Sequence, residues 1–155
     1  MPGSLNLLAT MITTTTYGTW LPGDVRGYVD NGRVLPSDPL LESKSKRAMR
    51  ADAVYLAEVE QKTAFEALVA ACDEFDYRLI AVSVESWHAH VLLSHGGDGV
   101  ATVSGRLKNR MRQAVERGKI WTAGYDKRYC FTEAEVQARH EYIVRHHGFR
   151  ALYGH

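Results

Sequence analysis

The sequence predicts an α+β domain in which a largely antiparallel sheet forms from a βαββαβ order of elements, followed by one more helix. Segments rich in Thr, Ile, Val and Tyr alternate with segments in which apolar residues recur at helical spacing. Breaks that contain Gly or Pro separate these segments. A length of 155 residues is typical of one domain, so we predict a single domain over residues 1–155.

The predicted strands follow from composition and turn signals. Leu8–Leu21 combines Thr, Ile, Tyr and Trp and is predicted to be a long first strand. Tyr77–Val84 and Trp87–Leu93 are predicted to form a hairpin around the short link Glu85-Ser86, and Tyr125–Phe131 is the predicted last strand. We expect the helices to pack on one face of this sheet.

Three helices are predicted from periodicity and capping signals. Ala57–Phe75 carries apolar residues at helical spacing. Val100–Gly118 is a basic segment that Gly118 would end. The last helix is predicted to begin after Thr132 as the N-cap, to have acidic residues in its first turn, and to run to about His147.

The polar stretch 22–50 is rich in Gly and Pro and is predicted to be an inserted surface loop, with a short helix near Ser43–Arg50. A loop of this length is usually functional or mobile. Val54–Leu56 is compatible with either a short strand or the start of a helix.

Composition excludes some classes of protein. No apolar run approaches the roughly 18 residues of a membrane span, and the first residues lack the basic flank of a signal peptide. Cys72 and Cys130 are far apart and form no CxxC pair. We therefore expect a protein of the cytoplasm with two free thiols and no membrane partner.

Charge is distributed unevenly along the chain. Residues 1–100 hold 8 Lys or Arg and 13 Asp or Glu, whereas residues 101–155 hold 11 and 5. A basic row in the second part predicts sequence-independent contacts with DNA phosphates, although a solvated helix face is equally compatible. The row consists of Arg106, Lys108, Arg110, Arg112, Arg117 and Lys119. Nearby aromatic residues could stack on bases. We expect Trp121 to pack in the core instead, whereas both roles are possible for Tyr125 and Tyr129.

The segment His88-Ala89-His90 predicts a metal site. Alternate side chains of a strand share a face, so both imidazoles point the same way, while Trp87, Ala89 and Val91 point the other way and are apolar. Two neutral imidazoles at this spacing can bind one divalent cation. Two half-exposed histidines without a ligand are the alternative interpretation.

Tyr142 and His146 are four residues apart, which places them on one face of a helix. If His146 is a third ligand of the same metal, Tyr142 lies beside that metal. A free tyrosine side chain has a pKa of about 10 and is a weak nucleophile near neutral pH. A cation next to a phosphodiester would assist its attack. The alternative is that Tyr142 is a packing residue next to Ile143.

Together these segments resemble the HUH single-tyrosine nucleases. WHAHVLL is similar to their His–hydrophobe–His strand. The W-x-x-G-Y at 121–125, a strand, an acidic helix start and Tyr142-Ile143 resemble the insertion-sequence-200-like transposases, above all the REP-associated branch. The resemblance covers 8–152. His146 occupies the position at which the family usually has a Gln or Asn ligand. An imidazole at this position favours softer metals such as Mn²⁺ or Zn²⁺.

The resemblance implies a ferredoxin-like βαββαβ fold and a metal-dependent single-stranded DNA endonuclease and strand transferase. Its members use Mg²⁺ or Mn²⁺, act on hairpin-bearing DNA without ATP, and form a 5′-phosphotyrosine. When the roles of the family's motif residues are assigned to the matching positions of this sequence, Tyr142 is the nucleophile, and His88, His90 and His146 bind the metal. The resemblance leaves open a homodimer or a monomer. Two other hypotheses are a domesticated module that binds structured DNA without cutting it, and a small metallohydrolase, for which the sequence lacks clustered acidic ligands.

Overall fold

The computed structural model describes residues 6–30, 33–49 and 52–152. Over these residues the strands and helices are, in chain order, β1 (Ala9–Thr15), β2 (Tyr28–Asp30), β3 (Arg33–Leu35), α1 (Pro39–Ala48), α2 (Glu58–Glu74), β4 (Arg78–Val84), β5 (His88–Ser94), α3 (Val100–Val115), β6 (Asp126–Cys130), α4 (Glu133–Val144) and β7 (Phe149–Leu152).

Five strands form one sheet in the order β6-β1-β5-β4-β7, and every neighbouring pair is antiparallel. β1, α2, β4, β5, α3 and β6 follow the predicted βαββαβ order, so the predicted α+β fold is confirmed. β5 is the central strand and β1 is its neighbour, and their register sets Thr13 opposite His90 and Thr15 opposite His88. Residues directly opposite each other share a face, so these four side chains project to the same side of the sheet.

The helices cover both faces of the sheet, and the prediction that they pack on one face is wrong. α2 and α3 bury one face, where Leu68 and Leu107 pack against Val91 and Leu93. α4 buries the other face by packing Val136 and Ile143 on a cluster that contains Met11 and Leu92. α4 joins β6 to β7, which are parallel to each other and lie at opposite edges of the sheet. This connection crosses the sheet in the same lateral direction as β1-α2-β4 but with its strands reversed, so a crossover of the same hand places α4 on the other face, where apolar residues receive it.

The segment that follows β1 differs from its prediction. β1 ends at Thr15, well before Leu21, and an isolated bridge joins Thr16 to Trp121. The predicted loop 22–50 contains the β2–β3 ribbon and α1. α1 begins at Pro39, earlier than predicted, because Asp38 caps it by accepting a hydrogen bond from the Leu41 amide.

Three other boundaries also differ. Residues 54–56 form neither a strand nor a helix, although Leu56 is buried and its amide donates to the Ser86 carbonyl. α3 ends at Val115 because Glu116 adopts a left-handed conformation, before Gly118 is reached. The edge strand β7 was not predicted. Thr132 does cap α4, as expected.

Both cysteines are free, as the sequence predicts, and both are buried. Among the helices of the described ranges, none has the length and apolar character that a membrane span needs.

Candidate metal centre and nucleophile

His88 and His90 project from the central strand β5 toward the face that α4 covers. Their rings lie 4.6 Å apart, and each residue is only 4% exposed. The two histidines are therefore not half-exposed, because α4 and the turn after it close over the imidazoles. The common direction of the two rings, which follows from strand alternation, is as predicted.

His146 completes the cluster from the turn that follows α4. The helix ends at Val144, so His146 lies just outside it. Its Nδ1 is 2.9 Å from the Tyr142 carbonyl oxygen, which can only accept, so Nδ1 carries the proton and Nε2 is left free as a ligand. Its ring is 4.4 Å from that of His90 and 5.3 Å from that of His88. His147, by contrast, is exposed.

The three histidines fit a metal ion. One nitrogen of each can be chosen so that all three lie within 4.8 Å of one another. Ligands that share an ion at bond lengths of about 2.1 Å are roughly 3 to 4 Å apart, so a small closure of the rings suffices. Neither ring nitrogen of His88 has a hydrogen-bond partner among the described residues, although both are buried. Buried polar atoms without partners are costly, and a bound cation would give one of them a partner.

The neutral state of the His88 and His90 imidazoles near pH 7 favours metal binding. Burial lowers the pKa of His88 to about 4, with Glu85 opposing the shift. Burial, followed by repulsion from His88 and His146, lowers the pKa of His90 to about 2. Both rings are therefore neutral near pH 7, which is the form that binds metals.

Tyr142 lies beside the three histidines, on their solvent-exposed side. Its ring is 5.2 Å from the His90 ring and 4.9 Å from the His146 ring, and the residue is 41% exposed. The neighbouring Ile143 is fully buried and anchors α4 to the sheet. The helix thus holds the phenol beside the histidines while leaving it accessible to a substrate.

Two residues that sequence reasoning missed support the histidines. Thr13 Oγ1 is 2.7 Å from His90 Nδ1, which leaves Nε2 of His90 for a metal. Glu85 Oε2 is 3.9 Å from His88 Nε2, and Glu85 Oε1 accepts a hydrogen bond from the His147 amide. The position of Glu85 in the hairpin link, three residues before His88, is a signal that could have identified it.

The basic row lies away from this centre. α3 packs on the opposite face of the sheet, so the structure does not bring the row and the histidines together. All six members have intramolecular partners. Arg106 pairs with Asp98, Arg110 with Glu74 and Arg117 with Glu60. Lys108 donates to the carbonyls of Thr122 and Gly124, Arg112 donates to Asn109, and Lys119 lies over the ring of Tyr17.

A groove of about 380 Å³ runs beside α3, and Lys108, Asn109 and Arg112 line it together with Trp121 and Tyr125. Trp121 is buried and donates to the Lys108 carbonyl, so it packs as expected, whereas Tyr129 is 39% exposed.

Comparison with known proteins gives a likeness in structure only. No protein-family model and no curated protein matches the sequence. A REP-associated tyrosine transposase, solved bound to a REP hairpin, superposes with a TM-score of 0.55 at 12% identity over 92% of this chain and 68% of its own. A protein from Deinococcus radiodurans described as a candidate transposase matches 96% of this chain and 98% of its own, at 16% identity and a TM-score of 0.46. The chain therefore has the fold of a REP-associated tyrosine transposase.

Proposed function

We propose that this protein is a metal-dependent single-stranded DNA endonuclease and strand transferase, a transposase that acts through Tyr142. The observation that carries the proposal is the position of an exposed phenol beside three converging imidazoles within a single chain. The transposase fold supports it independently.

In the proposed reaction, Tyr142 Oη attacks a DNA phosphorus and loses its proton to solvent. The bond from phosphorus to the 3′-oxygen breaks, and that oxygen leaves as a 3′-hydroxyl after gaining a proton. The 5′-phosphate stays on Tyr142, and attack by another 3′-hydroxyl reverses the step, so no ATP is consumed. His88, His90 and His146 would hold the divalent cation, either Mg²⁺ or Mn²⁺, which polarises the phosphate as a Lewis acid.

The proposed substrate is single-stranded DNA that carries a hairpin. The fold neighbour is bound to a REP hairpin, which motivates the same partner class here. We assign the sequence-independent part of the affinity to the basic row of α3 and the residues after it: Arg106, Lys108, Arg110, Arg112, Arg117 and Lys119.

The test is the formation of a covalent adduct. The protein is incubated with Mn²⁺ and a pool of single-stranded hairpin oligonucleotides labelled at the 3′ end, because the fragment that stays on the tyrosine contains that end. Wild type should form a labelled adduct that resists denaturation. Tyr142→Phe, which removes only the hydroxyl, and His88→Asn should form none. An adduct that persists in Tyr142→Phe would rule out this nucleophile.

A second candidate is a module that binds structured DNA without cutting it. The groove beside α3 favours it, because this groove lies on the other face of the sheet and does not need the histidines. It predicts salt-dependent hairpin binding by wild type that is indifferent both to Mn²⁺ and to Tyr142→Phe, together with no adduct. Hairpin binding that is lost only when His88 and His90 are replaced would contradict it.

A further inference from the structure

The segment after β1 folds back onto the strand that carries the histidines. Asp24 is buried and accepts hydrogen bonds from Nε and Nη2 of Arg26, and Nη2 also donates to the Thr19 carbonyl. The Trp20 indole donates to the Gly27 carbonyl at 2.6 Å. The backbone at Gly23 also lies close to the start of α1, because a Cβ at this position would be 2.3 Å from the Asp38 carbonyl oxygen. The conformation of 19–27 is therefore fixed by specific contacts.

This segment forms an aromatic platform, which we define as Trp20, Arg26 and Trp87. The Arg26 guanidinium carbon lies 3.9 Å from the centre of the Trp20 ring and 4.8 Å from that of Trp87, and the two indoles are 5.4 Å apart. Trp87, which immediately precedes β5, thus contacts the segment after β1. Trp20 remains 37% exposed, although Arg26 already covers one side of its ring.

The platform borders the metal centre. The Trp87 ring is 3.9 Å from the His88 ring, centre to centre. A strand of DNA with one phosphate at the histidines would therefore carry its neighbouring nucleotide toward the platform.

The chemistry of the platform suits a base better than a phosphate. Arg26 is already neutralised by the buried Asp24 carboxylate, so it offers little net charge to a phosphate. The partly exposed Trp20 ring offers an unpaired base a flat apolar surface, and stacking on such a surface tolerates any base.

We propose that the platform of Trp20, Arg26 and Trp87 binds an unpaired nucleobase of single-stranded DNA next to the phosphate at the histidine cluster. This inference rests on the proposed function, and it gives part of the inserted segment a role as a positioning element for the substrate strand.

The test measures binding and needs no cleavage, so its failure is distinguishable from failure of the proposed reaction. Two probes are used in EDTA: a thymidine oligomer about 15 nucleotides long, and an abasic oligomer with the same number of phosphates. Wild type should prefer the oligomer that carries bases. Trp20→Ala should bind that oligomer on the order of 5- to 150-fold more weakly and should lose most of the preference.

Phe131→Ala is the matched control, because Phe131 is 36% exposed but lies beyond the opposite end of the strands from His88. It should keep both the affinity and the preference. Trp20→Phe retains a ring and should recover part of the loss. The thymidine oligomer should also quench the tryptophan emission of wild type more than that of Trp20→Phe, a comparison that remains informative if Trp20→Ala fails to fold.

Unchanged affinity and preference in Trp20→Ala, or an equal loss in Phe131→Ala, would overturn the proposal and leave the platform as a structural cap. Failure of the proposed reaction has a different signature, because wild type would then form no adduct on any hairpin, whatever the outcome of these binding measurements.

Discussion

Thr13 orients His90 through a hydrogen bond between neighbouring central strands. Its Oγ1 lies 2.7 Å from Nδ1 of the imidazole. A group that holds the second nitrogen of a metal-binding histidine fixes both the tautomer and the angle of the ring, and its loss typically weakens metal affinity by about 10- to 100-fold. Thr14, the next residue, is buried, but its hydroxyl has no partner among the described residues.

We predict that Thr13→Val lowers the affinity for Mn²⁺ about 10- to 100-fold, measured by calorimetric titration. Thr14→Val replaces an adjacent threonine with the same change of shape and should leave the affinity unchanged. Equal affinities of wild type and Thr13→Val would show that the hydrogen bond does not organise the site.

The buried histidines make the metal-free protein sensitive to acid. In the unfolded chain an imidazole titrates near pH 6.5, whereas burial lowers the pKa of His88 to about 4 and that of His90 further. Below pH 6.5 the unfolded state therefore binds more protons than the folded state. The contribution to stability is complete above pH 6.5 and is lost progressively as the pH falls toward 4.

The loss from His88 alone should approach on the order of 3 kcal/mol at the low end of this range. Urea unfolding in EDTA at a series of pH values measures it, and His88→Asn/His90→Asn should have a shallower decline. A double variant as acid-sensitive as wild type would assign the effect to other groups.

At this scale the sequence predicted what depends on local periodicity. Strand alternation is sufficient to place His88 and His90 on one face, and a spacing of four is sufficient to place His146 near Tyr142. The sequence did not predict that Thr13 and Glu85 contact the histidines, because these contacts depend on strand register and on the path of the turn after α4.

At the scale of elements, the sequence predicted which segments form helices and strands better than it predicted where they pack. α4 was identified by its cap, but its face depends on the side of the sheet that exposes Met11 and Leu92. β7 was missed because four residues carry little periodicity and their pairing with β4 is settled by tertiary contact.

Gly148 lets the chain pass from α4 to β7 close to the end of β4. A Cβ at this position would lie 2.0 Å from the Val84 carbonyl oxygen, and that backbone atom cannot move aside easily. The same turn holds His146 in place. Gly97, by comparison, has open space where a Cβ would lie, with nothing within 4 Å, and its φ is not left-handed.

We predict that Gly148→Ala destabilises the protein by about 1 to 3 kcal/mol, the usual cost of overpacking. It should also weaken Mn²⁺ binding, because the turn that carries His146 must shift. Gly97→Ala should change neither property. Urea unfolding and metal titration measure both, and a Gly148→Ala protein with wild-type metal affinity would show that the turn does not position the ligand.

Over the whole molecule, charge asymmetry alone was a weak guide to the proposed DNA-binding surface. Several cations of the basic row are engaged by acidic residues, such as Arg110 by Glu74 of α2. Arg112 differs, because its hydrogen bond is to the neutral Asn109 on its own helix, and it lines the groove beside α3.

Arg112→Gln should therefore reduce the steepness of log K against log salt for hairpin binding by about 0.7 to 0.9, the value for one lost phosphate contact. Arg110→Gln should mainly lower the free energy of unfolding, because it removes the ion pair between α2 and α3. Its effect on the salt slope should be smaller than that of Arg112→Gln. Equal slopes for wild type and Arg112→Gln would show that Arg112 of α3 is not part of the proposed DNA-binding surface.

Whether the proposed reaction needs one chain or two follows from the geometry of the candidate site. The ring of Tyr142 lies 5.2 Å from that of His90 in the same chain, so a partner need not supply the tyrosine. Tyr142→Phe and His88→Asn/His90→Asn each disable one half of the site. Mixed together they should form no adduct with the labelled hairpins, whereas wild type diluted with either variant should retain activity in proportion to its amount. Adduct formation in the mixture would mean that the tyrosine of one subunit serves the histidines of another, and that α4 changes its packing between the two arrangements.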